Sequence, residues 1–419
     1  MFSSSSSSGL AVNAAGPADL VAAVWYTLGF RPLNSLVLVA VHGPRGRVGA
    51  MLRVDLTPAW FGPAGVAGVV DAAIEALTGP AAPAFDVTPE HPDRPDRPDS
   101  TDRPDHDGEP QARVIAVVAA PDALAAEPPP VVRALPQRLL RAGVRLYDVI
   151  GVTPTAFRSL SCPDHDCCPP GGRPLSEIEN SAVAVAHVLR GDRLADGEAD
   201  LIADVGHPAS GDPAEGGPTD DDPPGDVWAR MPAEEAERAR RRWWRTWNAL
   251  LGHAEGWSAD QLEFAPLHDQ YLRDAVFVRL AAVPGSTRMR LLRQLLAGQT
   301  PPDLTTLWEP LFSGLPDRDL VGRGEEVLAA LARRGTPAER GPVLAVLALL
   351  AWYRGNGVRT RLLIERLRLE NPGPSTVLPR LAGLVEMLCA TGIAPPWVEA
   401  RTEAGPGART DARTEEGTA

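Results

Sequence analysis

From Gly206 to Asp226 the chain runs through glycine, proline and aspartate, with alanine and proline its only apolar side chains. Such a stretch cannot bury enough surface to offset the entropy of ordering it, so it separates two bodies instead of belonging to one core. The spacing of apolar residues changes across it. Upstream, strand-like and helix-like segments alternate; downstream, every periodic segment has helical spacing. The expected organisation is an α/β domain over residues 1–205, an acidic linker over 206–227, an all-α domain over 228–400 and a disordered tail over 401–419. Residues 82–112 are a second interruption, carrying Asp-Arg-Pro at 93–95, 96–98 and 102–104, and read as a disordered insert.

In the first domain, Pro17 suits the first helical turn, Leu20, Val21, Val24 and Leu28 recur at helical spacing, and Gly29 stops a helix over 17–28. Residues 35–41 and 48–56 are β-rich runs joined by His42-Gly43-Pro44-Arg45-Gly46, which reads as a hairpin, and residues 66–77 read as a helix. Past the insert, strand 114–119, helix 131–142 and strand 144–152 form a βαβ unit whose strands must run parallel. The expected fold is therefore a mixed sheet with helices on its faces. In the second domain, helices are expected over 233–254, 260–281, 289–297, 324–333, 343–354, 358–369 and 376–390. The pair around Gly355-Asn356-Gly357 reads as a helical hairpin, with Leu344, Leu347, Ala348 and Ala351 facing Thr360, Ile364 and Leu367.

Composition removes several chemistries. All 41 basic residues are arginine, so no lysine amine exists for a Schiff base or for a P-loop. Neither H-E-x-x-H nor G-x-S-x-G occurs, and no G-x-G-x-x-G follows a strand. The net charge of −13 opposes a surface made for nucleic acid or anionic lipid. The serine run at the start lacks the basic and apolar regions of a secretory signal, and the longest apolar run, 343–352, is about half of the roughly 20 residues a membrane span needs. The expectation is a cytoplasmic protein with reduced thiols and no membrane contact.

Three of the four cysteines lie in one loop, Cys162-Pro163-Asp164-His165-Asp166-Cys167-Cys168. Cys162, His165, Cys167 and Cys168 are the candidate ligands for zinc, which takes four such groups in a tetrahedron. The C-x4-C-C spacing lacks the two-residue gaps of a zinc knuckle, and the expected role is a structural turn with small thiols packed beneath it and no cofactor. Cys389 reads as packing within a helix. Asp122 directly follows strand 114–119, and ligands gather at the carboxyl ends of parallel strands, so Asp122 is the candidate for ligand binding, set against a simple helix cap. Residues 238–247 mix Arg238, Arg240, Arg241, Arg242 and Arg245 with Trp243, Trp244 and Trp247. Ala236, Ala239, Trp243 and Trp247 make one buried stripe with the arginines as a solvated face, so nucleic acid is not the expected partner.

These pieces resemble the actinobacterial family catalogued as domain of unknown function 4192 (DUF4192). The resemblance rests on Ala18-Asp19-Leu20-Val21-Ala22-Ala23-Val24 leading to Leu28-Gly29-Phe30-Arg31-Pro32, on Ser35-Leu36-Val37-Leu38-Val39, and on Arg53-Val54-Asp55-Leu56. It continues through Ser159 to Cys162, Cys167-Cys168-Pro169-Pro170, Gly172, Pro174-Leu175 and Trp352-Tyr353-Arg354-Gly355-Asn356-Gly357, with Leu160 where the family usually has an aromatic residue. It implies no activity. With no complete catalytic constellation and a helical-hairpin domain suited to binding, the expected function is a non-catalytic interaction or regulatory protein with a protein partner. The alternative is an enzyme, or a binder of a small ligand or metal, with its site at the sheet edge around Cys162–Cys168.

Overall fold

The computed structural model describes residues 2–5, 11–14, 16–42, 47–56, 68, 113–125, 130–141, 144–206, 230–252, 258–301, 314–370, 380–391, 393 and 395–397. The insert at 82–112, helix 66–77 apart from Gly68, the turn 43–46, nearly all of the linker and the tail lie outside the described residues. The chain divides into two compact units, residues 1–27 with 31–194, and residues 28–30 with 195–419. The division falls upstream of the expected linker because the 3-10 segment Ala199–Val205 packs with the helices. Val205 is in their core, and Asp204 is held by Arg359 (2.7 Å) and, through its carbonyl, by Arg333 (2.6 Å).

The first unit is a mixed α/β structure. Its strands are β1 (Phe2–Ser5), β2 (Ala11–Ala14), β3 (Ser35–His42), β4 (Arg47–Asp55), β5 (Arg113–Ala119), β6 (Arg145–Val152), β7 (Ala156–Ser159) and β8 (Arg173–Pro174). They form one sheet in the order β2-β1-β4-β3-β5-β6-β7-β8. β3 and β4 are antiparallel as a hairpin requires, and β5 and β6 are parallel, joined through α2 (Pro130–Arg141). β3 and β5 are apolar without alternation, Leu36–Val41 and Val114–Ala119 being buried throughout, which is the mark of strands covered on both faces. Leu135 and Leu139 of α2 pack on one face. Further helices are α1 (Pro17–Leu28), α3 (Ser176–Glu179) and α4 (Ala182–Leu189).

The second unit is helical in every described element: α5 (Ala233–Leu251), α6 (Gln270–Leu280), α7 (Gly285–Leu296), α8 (Arg318–Arg334), α9 (Pro337–Tyr353), α10 (Gly357–Glu370) and α11 (Arg380–Ala390). α9 is its axis, with Val343–Tyr353 buried on every side. The expected single helix over 260–281 is instead two 3-10 turns followed by α6. Pro266 lies in the second turn, and Asp269 caps α6 by accepting the Leu272 amide at 2.9 Å. The buried stripe of α5 is Ala236, Arg240, Trp243, Trp247 and Leu251. Arg240 is thus not solvated as expected; it is 6 % exposed and takes the place in the stripe that the sequence suggested for Ala239.

Asp274 on α6 adds a pH dependence. Burial pushes its carboxyl up to about 6, with Arg273 opposing and Asp269 reinforcing the rise. Between about pH 4 and pH 6 the folded chain therefore holds a proton that the unfolded chain releases, so this group's contribution to stability falls as pH rises through that window. Asp274→Asn is expected to flatten that slope and to raise stability at pH 8 by about 2 kcal/mol. Urea unfolding of both proteins at pH 4 and pH 8 checks this; equal differences at the two values would contradict it.

Candidate functional site

The cysteine loop is positioned by three devices. The first is a β-bulge. Pairing of β5 with β6 shifts register so that Ile115 meets Asp148, leaving Tyr147 as the extra, exposed residue. The second is a hydrogen-bond chain set up at Asp148. Its Oδ1 accepts the Ser159 hydroxyl at 2.7 Å, and Ser159 Oγ in turn accepts the Cys162 amide at 3.1 Å. The third is a turn centred on Asp164, whose Oδ1 accepts the amides of Asp166 (2.9 Å) and Cys167 (3.3 Å) while its carbonyl accepts the Cys168 amide (2.8 Å). That turn folds the chain back so that Cys167 and Cys168 meet Cys162.

The result is a cluster of thiols. The sulfurs of Cys162, Cys167 and Cys168 all lie within 4.8 Å of one another, and those of Cys167 and Cys168 are 3.8 Å apart. Cys168 is buried, Cys162 half-buried and Cys167 exposed, and all three are free. Burial pushes the Cys168 thiol up to about 11, with its two thiol neighbours adding to the rise and the Ser159 backbone amide opposing it.

The other sequence candidates lie elsewhere. His165 is exposed and outside the converging set. Asp122 is exposed in a turn at the carboxyl end of β5. The cysteines do not lie beyond the end of β6, because β7 reverses the chain, and Leu160 hydrogen-bonds back to Val149. Only the return of the loop reaches the Asp122 turn. A side chain at Gly172, whose φ is +78°, would strike Leu124 at 2.7 Å, and one at Gly151 would strike the same leucine. Cys389 is exposed on α11, not packed.

A second feature of the first unit escaped the sequence reading. α4 is pinned on its inner side. Ser181 caps it, Asp19 of α1 accepts the Val183 amide at 3.3 Å, and His187 stacks on Tyr26 with ring centroids 4.4 Å apart while meeting Asp192 at 2.8 Å. Its outer side carries Val185, Val188 and Leu189, exposed by 46 %, 59 % and 82 %. These positions are i, i+3 and i+4, one contiguous helix face. The signal was present in the sequence: Ala182–Leu189 contains no charged residue to mark a solvent side.

Around α5, the arginines have local partners: Arg241 pairs with Glu237 at 2.6 Å and Arg242 lies 3.7 Å from Glu263. Among the described residues, no helix is long and apolar enough to cross a membrane. No curated protein and no solved structure matches this chain. A family model does: it matches residues 17–307, spanning strands β3 to β8, the cysteine loop and the first helices of the second unit but not the expected family piece at Trp352–Gly357, and the chain belongs to the family described as Domain of unknown function (DUF4192).

Proposed function

We propose that this is a non-catalytic interaction or regulatory protein of the cytoplasm that engages a protein partner through the outer face of α4. The observation that carries the reading is the exposed stripe of Val185, Val188 and Leu189 on a helix whose inner face is already covered. A helix that is apolar all round is normally covered on every side, because each exposed aliphatic side chain forgoes about 1.5–3 kcal/mol of burial. The four free thiols support a reducing compartment. Nucleic acid is left out of the reading, since Arg240 is buried and Arg241 and Arg242 face carboxylates.

Site-specific photo-crosslinking in cells tests it. A photoreactive residue at Val188 of the full chain is expected to give an adduct of one defined mass, and the same residue at Leu140, which is 67 % exposed on α2, is expected to give none. Absence of an adduct at position 188, or equal labelling at both positions, would remove α4 as an interface.

A further inference from the structure

The packing account of the cysteine loop explains one cysteine of three. Cys168 is 4 % exposed and fills space beneath the turn as a small apolar group would. Cys167 is exposed and Cys162 only half-buried, so packing gives no reason for sulfur at either position. Yet the fold turns both toward Cys168.

We propose that Cys162, Cys167 and Cys168 form a binding site for a thiophilic d10 metal ion, Zn2+ or Cu+, held by three thiolates with one coordination position open to solvent. Distance supports the set. At a metal–sulfur length of about 2.3 Å, sulfurs around one ion stand about 3.8 Å apart in a tetrahedron and about 4.0 Å apart in a plane. Cys167 and Cys168 are at 3.8 Å, and no pair in the cluster exceeds 4.8 Å, so closure needs only small side-chain rotations. The C-x4-C-C spacing lacks the gaps of a zinc knuckle, but the Asp164 turn already brings both sulfurs to Cys162.

Chemistry supports the ion class. Among the described residues, the converging side chains are three sulfurs with no carboxylate or imidazole, a set that selects soft or borderline cations over Mg2+ or Ca2+. As each sulfur–metal bond forms, its thiol gives up a proton to solvent. The surroundings are built to hold the ligands. Asp148, through the Ser159 hydroxyl, fixes the backbone at Cys162. Hydrogen bonds of this kind orient ligands and tune their basicity in metal sites. The ligand at the open side, Cys167, is the exposed one, and His165 lies outside the set; an open position belongs to sites that exchange ligand or metal, whereas closed structural zinc sites use four protein ligands. This inference is independent of the α4 interface.

The test uses the full chain, reduced and stripped of metal. It is titrated with Zn2+ against a chromophoric chelator and, anaerobically, with Cu+ in the same way. One equivalent of at least one ion is expected to bind, and the tighter of the two identifies the ion. Cys167→Ser and Cys162→Ser should each weaken binding by more than about 100-fold, and Ser159→Ala, a positioning change, by about 10–100-fold. Cys389→Ser and His165→Ala should leave binding unchanged. Cys167 is exposed, so its serine variant folds even if Cys168→Ser does not, and circular dichroism confirms this. Failure of the wild type to bind either ion at one equivalent, or wild-type affinity in both Cys162→Ser and Cys167→Ser, would overturn the site. A loss in His165→Ala equal to that in Cys167→Ser would overturn the open position.

Discussion

Glu370→Ala is expected to cost the helical unit about 3–5 kcal/mol. Glu370 lies at the end of α10 with its side chain 3 % exposed, between Arg366 one turn earlier and Arg340 of α9 at 3.3 Å. The two guanidiniums are 6 % and 7 % exposed. Removing the carboxylate takes a shared partner from two guanidiniums held out of water, and that desolvation, more than any lost attraction, sets the size of the effect. At roughly 2–4 °C per kcal/mol for a body of this size, melting should fall by about 10 °C. The triad is also imperfect: Glu370 Oε2 and Arg366 Nη2 find no hydrogen-bond partner among the described residues. Replacing all three residues together with Leu or Met should therefore be neutral or stabilising, the opposite sign from the single change. Denaturant unfolding of both variants decides the matter. A loss below 1 kcal/mol in Glu370→Ala would mean that water reaches the triad.

The second large effect is expected at Asp269, where two roles coincide. Its carboxylate receives Arg240 Nε at 3.0 Å and Nη2 at 2.8 Å, a two-point contact in which both side chains are 7 % exposed. The same carboxylate caps α6 through the Leu272 amide. Asp269→Ala removes a cap worth about 1 kcal/mol and takes the two-point carboxylate partner from a buried guanidinium, for a total of about 4–5 kcal/mol. Asp269→Asn retains an oxygen for the cap, so it should recover about the cap's share and no more. The two variants together separate the contributions; identical melting curves for Ala and Asn would show that the cap adds nothing.

The central strands of the sheet were the most legible part of this chain, while β1, β2, β7 and β8 were not anticipated. β3, β5 and β6 carry runs whose β-branched residues admit few other structures, and their observed ends differ from the expected ones by a single residue at most. Helix starts were harder. α9 begins at Pro337, six residues before the apolar run that announced it, because Thr336 and Glu339 form a capping box around that proline. The signal Thr-x-x-Glu was in the sequence and lies outside any apolar period. Arg240 could not be read as buried, since its counter-charge at Asp269 is brought to it only by the tertiary fold. The cysteine cluster was legible as residues and illegible as geometry. Its convergence depends on the bulge at Tyr147 and on the Asp164 turn, neither of which leaves a periodic trace. The α4 face was missed for the converse reason: an apolar run reads as core, and which of its sides is covered is decided by Asp19 and Tyr26, far away in sequence.

The stretch that sequence comparison follows and the stretch that closes a core have different lengths in this protein. The family match stops at residue 307, between α7 and α8. The core does not stop there. Phe277 meets Tyr353 edge to face at 5.5 Å, the Tyr353 hydroxyl accepts the Ala282 amide at 3.1 Å, and Leu280 presses so closely on Gly324 that a methyl group there would fall 2.7 Å from it. α6 is thus one wall of a room whose opposite wall, α8 and α9, belongs to a part of the chain the family description does not reach. A fragment trimmed to the match would lose Tyr353 from beside Phe277 and Gly324 from beside Leu280. The core of the second unit therefore reaches beyond the stretch by which the chain's kinship is recognised.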